Sequence, residues 1–434
     1  MQFELSEPFV PASKRIAVIG AGISGLAAAH LLAVQHRVTL FEAEGRLGGH
    51  ARTVWAGKRG DQAVDTGFIV FNQPNYPHLC RLFAQLDVPI VKSDMSFGAS
   101  IDGGRFEYGL RNLAAVFAQK RNVLNPAFLR MIRDVWRFND RAMGLADGAG
   151  LTIGQLLERL GTGPWFRDYY LLPLSGAIWS TPLCDILDFP AAALVQFFHN
   201  HALLRTSGQH QWYTVAGGSV LYVERLAAAL RRAGVQIRTR APVAEIRRMA
   251  AGVEVRCIGA EPVVFDEVVL ATHSDQSLAL LADASPVERQ ALSAVRYQPN
   301  QAVLHADASV MPRRRAVWAS WVYTEPKGAS RERIDLTYWM NALQPIPQDD
   351  PMFVTLNSNR PIRDDLVYDS YTFHHPVYDL AAEAGRATIR TMNGARHTWF
   401  CGAWMRHGFH EDGFASAVDV VQAMAARREN RIAA

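Results

Sequence analysis

A chain of 434 residues, 49% hydrophobic and 20% charged, holds enough apolar material for two or three packed domains, which excludes a disordered or fibrous protein. With 45 Lys and Arg against 41 Asp and Glu the net charge is only +4, so charge gives no footing for a nucleic-acid partner, and none is expected.

The first element in chain order is a strand over Arg15 to Ile19, rich in β-branched residues and flanked by turn residues, as suits a strand buried on both faces. Gly20, Gly22 and Gly25 follow, and a helix opens through Ile23 and Ser24 and runs to Val34. Gly20 permits the tight turn, Gly22 lets the backbone approach a pyrophosphate, and Gly25 lets the helix pack on the strand. The helix N-terminus then offers free N–H groups and its positive dipole end to phosphates. A second strand, Val38 to Phe41, ends at Glu42, 17 residues past Gly25, where a carboxylate can accept hydrogen bonds from the ribose hydroxyls of an adenosine. Strand, glycine turn, helix and acid in that order predict a dinucleotide site, with NAD and FAD both open. Downstream, Gly48 and Gly49 lie in a polar segment, a pattern for amides curled round an anion. Arg46 and Arg52 are candidates to pair with pyrophosphate oxygens, and Thr53 closes the segment.

From Asn75 to about Leu203 the pattern changes. Residues 75–87 and 110–147 carry apolar residues at helical spacing, and Val91 to Tyr108 reads as short strands round a turn at Asp102-Gly103-Gly104. Thr152 is a plausible N-cap for a helix over Ile153 to Leu160, with Gly161 as its stop. The insertion is rich in aromatic residues, Trp179, Phe197 and Phe198 among them, as suits wrapping an apolar ligand. Gly217-Gly218 leads into a helix over Val220 to Ala233. Then come a strand at 235–239, a hairpin across Ala250-Ala251-Gly252, and a buried strand over Val268 to Ala271. Between 277 and 390 four strands read as one antiparallel sheet, with His305 near a strand end. The chain closes with a strand ending at Gly402 and a segment from His410 to Ala417 that opens a helix.

The four cysteines (80, 184, 257 and 401) lack any C-x-x-C spacing, which predicts reduced thiols and a cytoplasmic protein without a metal site. The start of the chain, Met-Gln-Phe-Glu-Leu-Ser-Glu, lacks a charged-then-apolar signal pattern, and no run of about 18 apolar residues is present to span a bilayer. Lys120, Arg121, Arg130, Arg133 and Arg137 punctuate apolar helical segments, and Arg313-Arg314-Arg315 is a second basic cluster. These read either as a solvated face or as a peripheral contact with the inner face of a membrane.

The glycine fingerprint, the acid and the Arg46-x-Gly48-Gly49-x-x-x-Thr53 segment together resemble the entry to FAD-binding proteins of the flavin-containing amine oxidase and phytoene desaturase superfamily. The resemblance selects FAD over NAD. It implies an α/β fold: a Rossmann-type FAD-binding domain (1–74, 212–276 and 391–434) with an inserted α+β substrate domain of antiparallel sheet and helices (75–211 and 277–390). It further implies that the Val243 backbone contacts the adenine, that Gly402 closes the last nucleotide-domain strand, and that Gly413 and Phe414 sit beneath the isoalloxazine. Asp65 to Phe68 looks like the family segment that leaves for the substrate domain. The only lysine between 277 and 390 is Lys327, in a turn, and Arg406, His407 and Phe409 stand where amine oxidases of this superfamily carry a paired tyrosine cage. The expectation is therefore a non-covalent FAD oxidoreductase whose substrate is an apolar small molecule or lipid, a fatty-acyl or polyene desaturase, dehydrogenase or isomerase. His410, Glu411 and His305 are the candidate bases, in that order. An amine oxidase and a non-catalytic FAD- or NAD-binding protein are the alternatives.

Overall fold

The strand over Arg15–Ile19 (β1) is the middle of a five-stranded sheet. Beside it run Arg37–Phe41 (β2) and Gln236–Arg238 (β3) on one side, Glu267–Leu270 (β4) and Thr398–Phe400 (β5) on the other. The order is β3-β2-β1-β4-β5 and every pairing is parallel. Alternation along β1 explains its apolar run: Ile16 and Val18 join one buried cluster, Ala17 and Ile19 the cluster on the opposite face. The first face is covered by helices α1 (Ile23–Leu32) and α6 (His410–Ala433). The second carries the antiparallel strands Val243–Met249, Gly252–Cys257 and Val263–Phe265. The computed structural model describes residues 13–146, 150–180, 183–205, 208–328 and 334–433; the N-terminal residues read above for a signal pattern lie outside these.

All five strands come from the three segments assigned to nucleotide binding. The two inserted segments build one seven-stranded sheet, from the edge strand Val367–Pro376 through Tyr297–His305, Phe353–Leu356, Leu336–Trp339, Trp321–Thr324 and Phe97–Ile101 to Phe106–Gly109. The strands expected between 277 and 390 pair antiparallel with one another, and the sheet becomes mixed only at its junction with the first insertion. Trp321–Thr324 pairs in parallel with Phe97–Ile101, because at that seam strands from two different insertions meet and no hairpin dictates their direction. The strand expected over Val317 to Tyr323 is shortened by a turn at Arg315–Val317. Helix α3 in chain order, Pro126–Ala146, follows α2 (Pro77–Gln85). Its inner residues Phe128, Met131, Phe138 and Ala142 are 0–2% exposed, part of an aromatic-rich core. The next helix, Ile153–Leu160, begins with a capping box between Thr152 and Gln155 and stops at Gly161 (φ 62°).

Candidate active site

Two glycine turns face each other at the N-terminus of α1. Gly20 has φ +95°, and a Cβ there would come 3.0 Å from the Ala271 carbonyl oxygen; a Cβ on Gly25 would overlap the Gly20 carbonyl. Gly22 is the N-cap of α1, which has no side-chain cap and no acid in its first turn, so the first N–H groups, including those of Ile23 and Ser24, remain for a ligand. Gly22 forms a single bridge with Gly48, and the Gly48 N–H donates to the Ala21 carbonyl at 2.8 Å. A Cβ on Gly49 (φ +56°) would stand 3.0 Å from the Gly22 Cα. A cradle of backbone amides with no side chains between them results. Glu42 flanks it. One carboxylate oxygen accepts from the Ala21 N–H (2.8 Å) and the other from the Glu44 N–H (2.9 Å), which fixes a half-buried acid with lone pairs to spare. Residues 240 and 241 hydrogen-bond along the end of β2, which brings Val243 to the Glu42 side of the cradle.

Three polar residues expected at the pyrophosphate are engaged elsewhere. Arg46 donates to the Gly49 carbonyl (2.8 Å) and pairs with Glu44 (3.0 Å), bracing the second turn from behind. Arg52 forms a two-point ion pair with Asp369 (2.6 and 3.1 Å) and lies over the Tyr371 ring, so it ties the nucleotide domain to the substrate sheet. The Thr53 hydroxyl donates to Asp65 (2.6 Å) and accepts from the Val220 N–H (2.9 Å). Asp65 in turn accepts from the Ser219 N–H and hydroxyl and from Gln344, and burial raises its carboxyl to about 6.

The flavin end of the sequence reading needs a larger correction. Gly402, expected to close the last strand, lies two residues past the end of β5 at the start of a short turn, and its N–H donates to the Ser416 hydroxyl (2.9 Å). Gly413 is the close-approach point between α6 and α1: a Cβ there would meet Ile23 at 2.7 Å and Ser24 at 2.8 Å. Phe414, 5% exposed, stacks on His78 inside the core. The first residue of α6 is His410, where the sequence reading opens its helix, so the positive helix end lies three residues before Gly413.

Of the three candidate bases only His410 stands at that point. Its Nε2 is 2.5 Å from the Tyr222 hydroxyl, and its ring stacks on Phe68 at 3.9 Å and 10°. Burial, with a small contribution from His50, pulls it down to about 3, so it is neutral near pH 7. Glu411 accepts from the His78 and Leu79 N–H groups (2.8 and 3.0 Å): it caps the start of α2. His305 is fully buried in its strand, with Nε2 bonded to the Thr355 hydroxyl (2.8 Å) and Nδ1 accepting from the Asp307 N–H (3.1 Å). It holds the substrate sheet together.

The sequence reading missed a group of histidines that three distant segments bring to the domain boundary. His50 lies 6.0 Å from His273, 5.5 Å from His375 and 5.0 Å from Phe373, ring centre to ring centre. His273 stacks on Tyr297 at 4.3 Å. Burial is the main cause that brings His50 and His375 to about 3 and His273 to about 4. Held neutral, each ring can donate one hydrogen bond and accept another, which suits an uncharged polar edge of a ligand. Two of the three follow directly on motifs that the sequence displayed, Gly48-Gly49 and the strand ending at Thr272.

A family model of flavin containing amine oxidoreductases matches residues 23–306, well over half of the chain. The chain belongs to this flavin-containing amine oxidoreductase family. FAD is therefore its cofactor and it is an FAD-dependent oxidoreductase. The uncapped α1 terminus, the facing glycines and the anchored Glu42 fit the adenosine diphosphate half of FAD, and Phe68, His410 and the histidine group lie where the two domains meet. Among curated proteins, the mitochondrial protoporphyrinogen oxidase of Nicotiana tabacum is 60% identical over 43 residues, 10% of this chain and 8% of that protein. The match thus spans a small part of that relative. Among solved structures, a CLA-producing fatty acid isomerase from P. acnes is similar with a TM-score of 0.69 and 16% identity, over 94% of this chain and 98% of that one. Wild-type putrescine oxidase bound to putrescine is similar with a TM-score of 0.70 and 15% identity, over 96% and 99%. At such identities the likeness is one of fold.

Proposed function

We propose that this family member oxidises or isomerises an apolar chain ending in an acidic group, a fatty-acyl substrate above all, as a desaturase, dehydrogenase or isomerase. One observation carries the reading. Phe409, directly before His410, stacks on Phe197 at 4.8 Å and 19° and meets Trp179 edge-on, so the approach to the start of α6 is walled by packed aromatic rings. Trp179, Phe189 and Leu194 also line a cavity of about 370 Å³. Its other wall carries Arg386 and Arg390 from the helix Leu380–Met392 and Arg406. Arg386 and Arg390 are bonded to backbone carbonyls of residues 405 and 406, with no carboxylate partner among the described residues. Tyr378, 8% exposed, lines the same cavity with a hydroxyl that has no partner. Glu383 and Asp419 line the cavity too, Asp419 paired with Arg406 at 2.8 Å, so three guanidiniums face two carboxylates; an apolar wall beside this cationic excess and a spare hydroxyl suits a hydrocarbon chain with an anionic head.

FAD supplies a hydride acceptor when bound. The protein's part is to lay the chain along the aromatic wall, to limit access of water, and to present the neutral His410 ring, backed by Tyr222, as a hydrogen-bonding group; held down to about 3 by burial, that ring is too weak a base to keep the accompanying proton, which passes on to solvent. The FAD is held non-covalently: Cys401 is fully buried, and burial pushes its thiol up to about 12. Purified yellow protein mixed without oxygen with unsaturated or methyl-branched fatty-acyl lipids, and separately with simple amines, tests the reading. The flavin is expected to bleach where the lipid is oxidised, and to stay yellow while the lipid's double bonds shift position where it is isomerised, which the lipid's ultraviolet absorbance reads. Bleaching by amines alone would assign an amine oxidase, and a colourless protein that cannot be reconstituted would leave a non-catalytic binder.

A further inference from the structure

We infer that the segment from Leu110 to Trp136 is a docking face for an anionic lipid surface. This rests on the surface alone and not on the reaction proposed above. Isolated apolar side chains on a surface are ordinary. Here six of the sixteen large apolar side chains exposed among the described residues fall within these 27 positions: Leu110, Leu113, Val123, Leu124, Leu129 and Trp136. Leu124 and Leu113 are 85% and 77% exposed, so they touch little of their own protein. On α3 the exposed residues Leu129, Arg130, Arg133 and Trp136 recur at spacings of three and four, which puts them on one face. Phe128, Met131 and Phe138 fill the other face and reach the core that holds Phe198.

The charges complete the face. Arg111, Lys120 and Arg121 are exposed, and the side chains of Arg130 and Arg133 are 56% and 61% exposed. Two nearby acids are hidden from solvent, while Asp102, with a side chain 32% exposed, lines the adjoining hollow paired with Arg105, and Asp140, 79% exposed, lies one turn beyond Trp136. Asp134 is fully buried and accepts from the Gly163 N–H (2.8 Å), and Glu107 is fully buried against Ser100 and Arg314. A basic hollow lined by Arg105, Arg121, Arg313 and Arg314 lies beside the segment and absorbs the second basic cluster of the sequence. Protruding leucines and a tryptophan ringed by arginine and lysine match the two demands of an anionic bilayer, apolar insertion and attraction to head-group phosphates. A nucleic acid would use the cations and leave the leucines idle. No helix of the described residues is long and apolar enough to cross a membrane, so such a contact would be made at the surface.

The FAD-loaded full chain should pellet with vesicles of equal parts phosphatidylcholine and phosphatidylglycerol at low salt, and bind phosphatidylcholine alone at least about tenfold more weakly. Leu113→Asp with Leu124→Asp should lower binding to the anionic vesicles by about tenfold or more, as should Arg130→Glu with Arg133→Glu, with the flavin absorbance of each variant unchanged as evidence of folding. Should the arginine variant lose its flavin, Leu124→Asp alone carries the test, since that side chain packs against almost nothing. Wild-type protein left in the supernatant, equal binding to both vesicles, or a Leu124→Asp protein that binds as the wild type overturns the inference. So does a concentration-dependent self-association that Leu124→Asp abolishes in a protein that never pellets with vesicles, because the face would then join two copies of this chain.

Discussion

Acidification from about pH 7.5 to about pH 5.5 is expected to lower folding stability, by about 4 kcal/mol through the groups round the domain boundary alone. Four histidines there are held neutral mainly by burial, His50, His375 and His410 with values of about 3 and His273 of about 4, and His201 and His305, both at about 4, add losses of the same sign. The unfolded chain takes up a proton at each near pH 6.5, whereas the folded chain refuses it until far lower. Their folded-state values are depressed, so the stability they contribute is fully present above the unfolded value and is lost as pH falls from about 6.5 towards about 4. Over the stated interval each costs about 1.4 kcal/mol, or about 5.5 for the four. Asp65 and Asp412 act in the opposite direction. Burial raises both to about 6, so each regains about 0.8 kcal/mol as it is protonated, which leaves a net loss of about 4. Urea midpoints at the two pH values measure the difference. His375→Asn should shrink it by about 1.4 kcal/mol, because that position then no longer titrates. A protein equally stable at both values, or more stable at the lower one, would refute the placing of these rings in a buried, neutral group.

Gly25→Ala should lower bound flavin by about tenfold or more, because the new methyl overlaps the Gly20 carbonyl and opens the turn that holds the phosphates; the flavin-to-protein absorbance ratio reads this. Phe409→Ala should keep its flavin and slow bleaching by fatty-acyl lipid about tenfold, the worth of one lost aromatic stack, while an unchanged rate would remove this ring from the substrate path. Cys401→Ala should bind flavin as the wild type does, and acid precipitation of either protein should leave all the flavin in the supernatant; flavin retained in the pellet would show a covalent link.

The parts of this protein that were legible in its sequence are those whose causes are local. Gly20, Gly22, Gly25 and Glu42 announce themselves because turn, close approach, packing and anchoring all lie within one strand-helix-strand unit. Thr152, Gln155 and Gly161 mark a helix at both ends for the same reason. Arg52 was misread because its partner, Asp369, lies 317 residues away and no nearby spacing reveals it. His50, His273 and His375 form a group only after β4, the second glycine turn and an edge strand of the substrate sheet are brought together. At the start of α6 the motif was found and one role in it was misread. His410 was legible there as a candidate base, but Gly413 was read as a flavin contact, because nothing local shows that its missing side chain serves the close packing of α6 on α1 at Ile23 and Ser24. The parallel seam between Phe97–Ile101 and Trp321–Thr324 had no local signal either, being a meeting of two insertions.

The central claim is that the reaction begins at a C–H bond of an apolar chain laid against Phe409 and next to His410. It is tested most directly by following flavin bleaching without oxygen, using a fatty-acyl lipid deuterated at the reacting carbons beside its unlabelled form. The account predicts bleaching by both, with the deuterated lipid slower by severalfold. Bleaching by amines with none by any acyl lipid would contradict it.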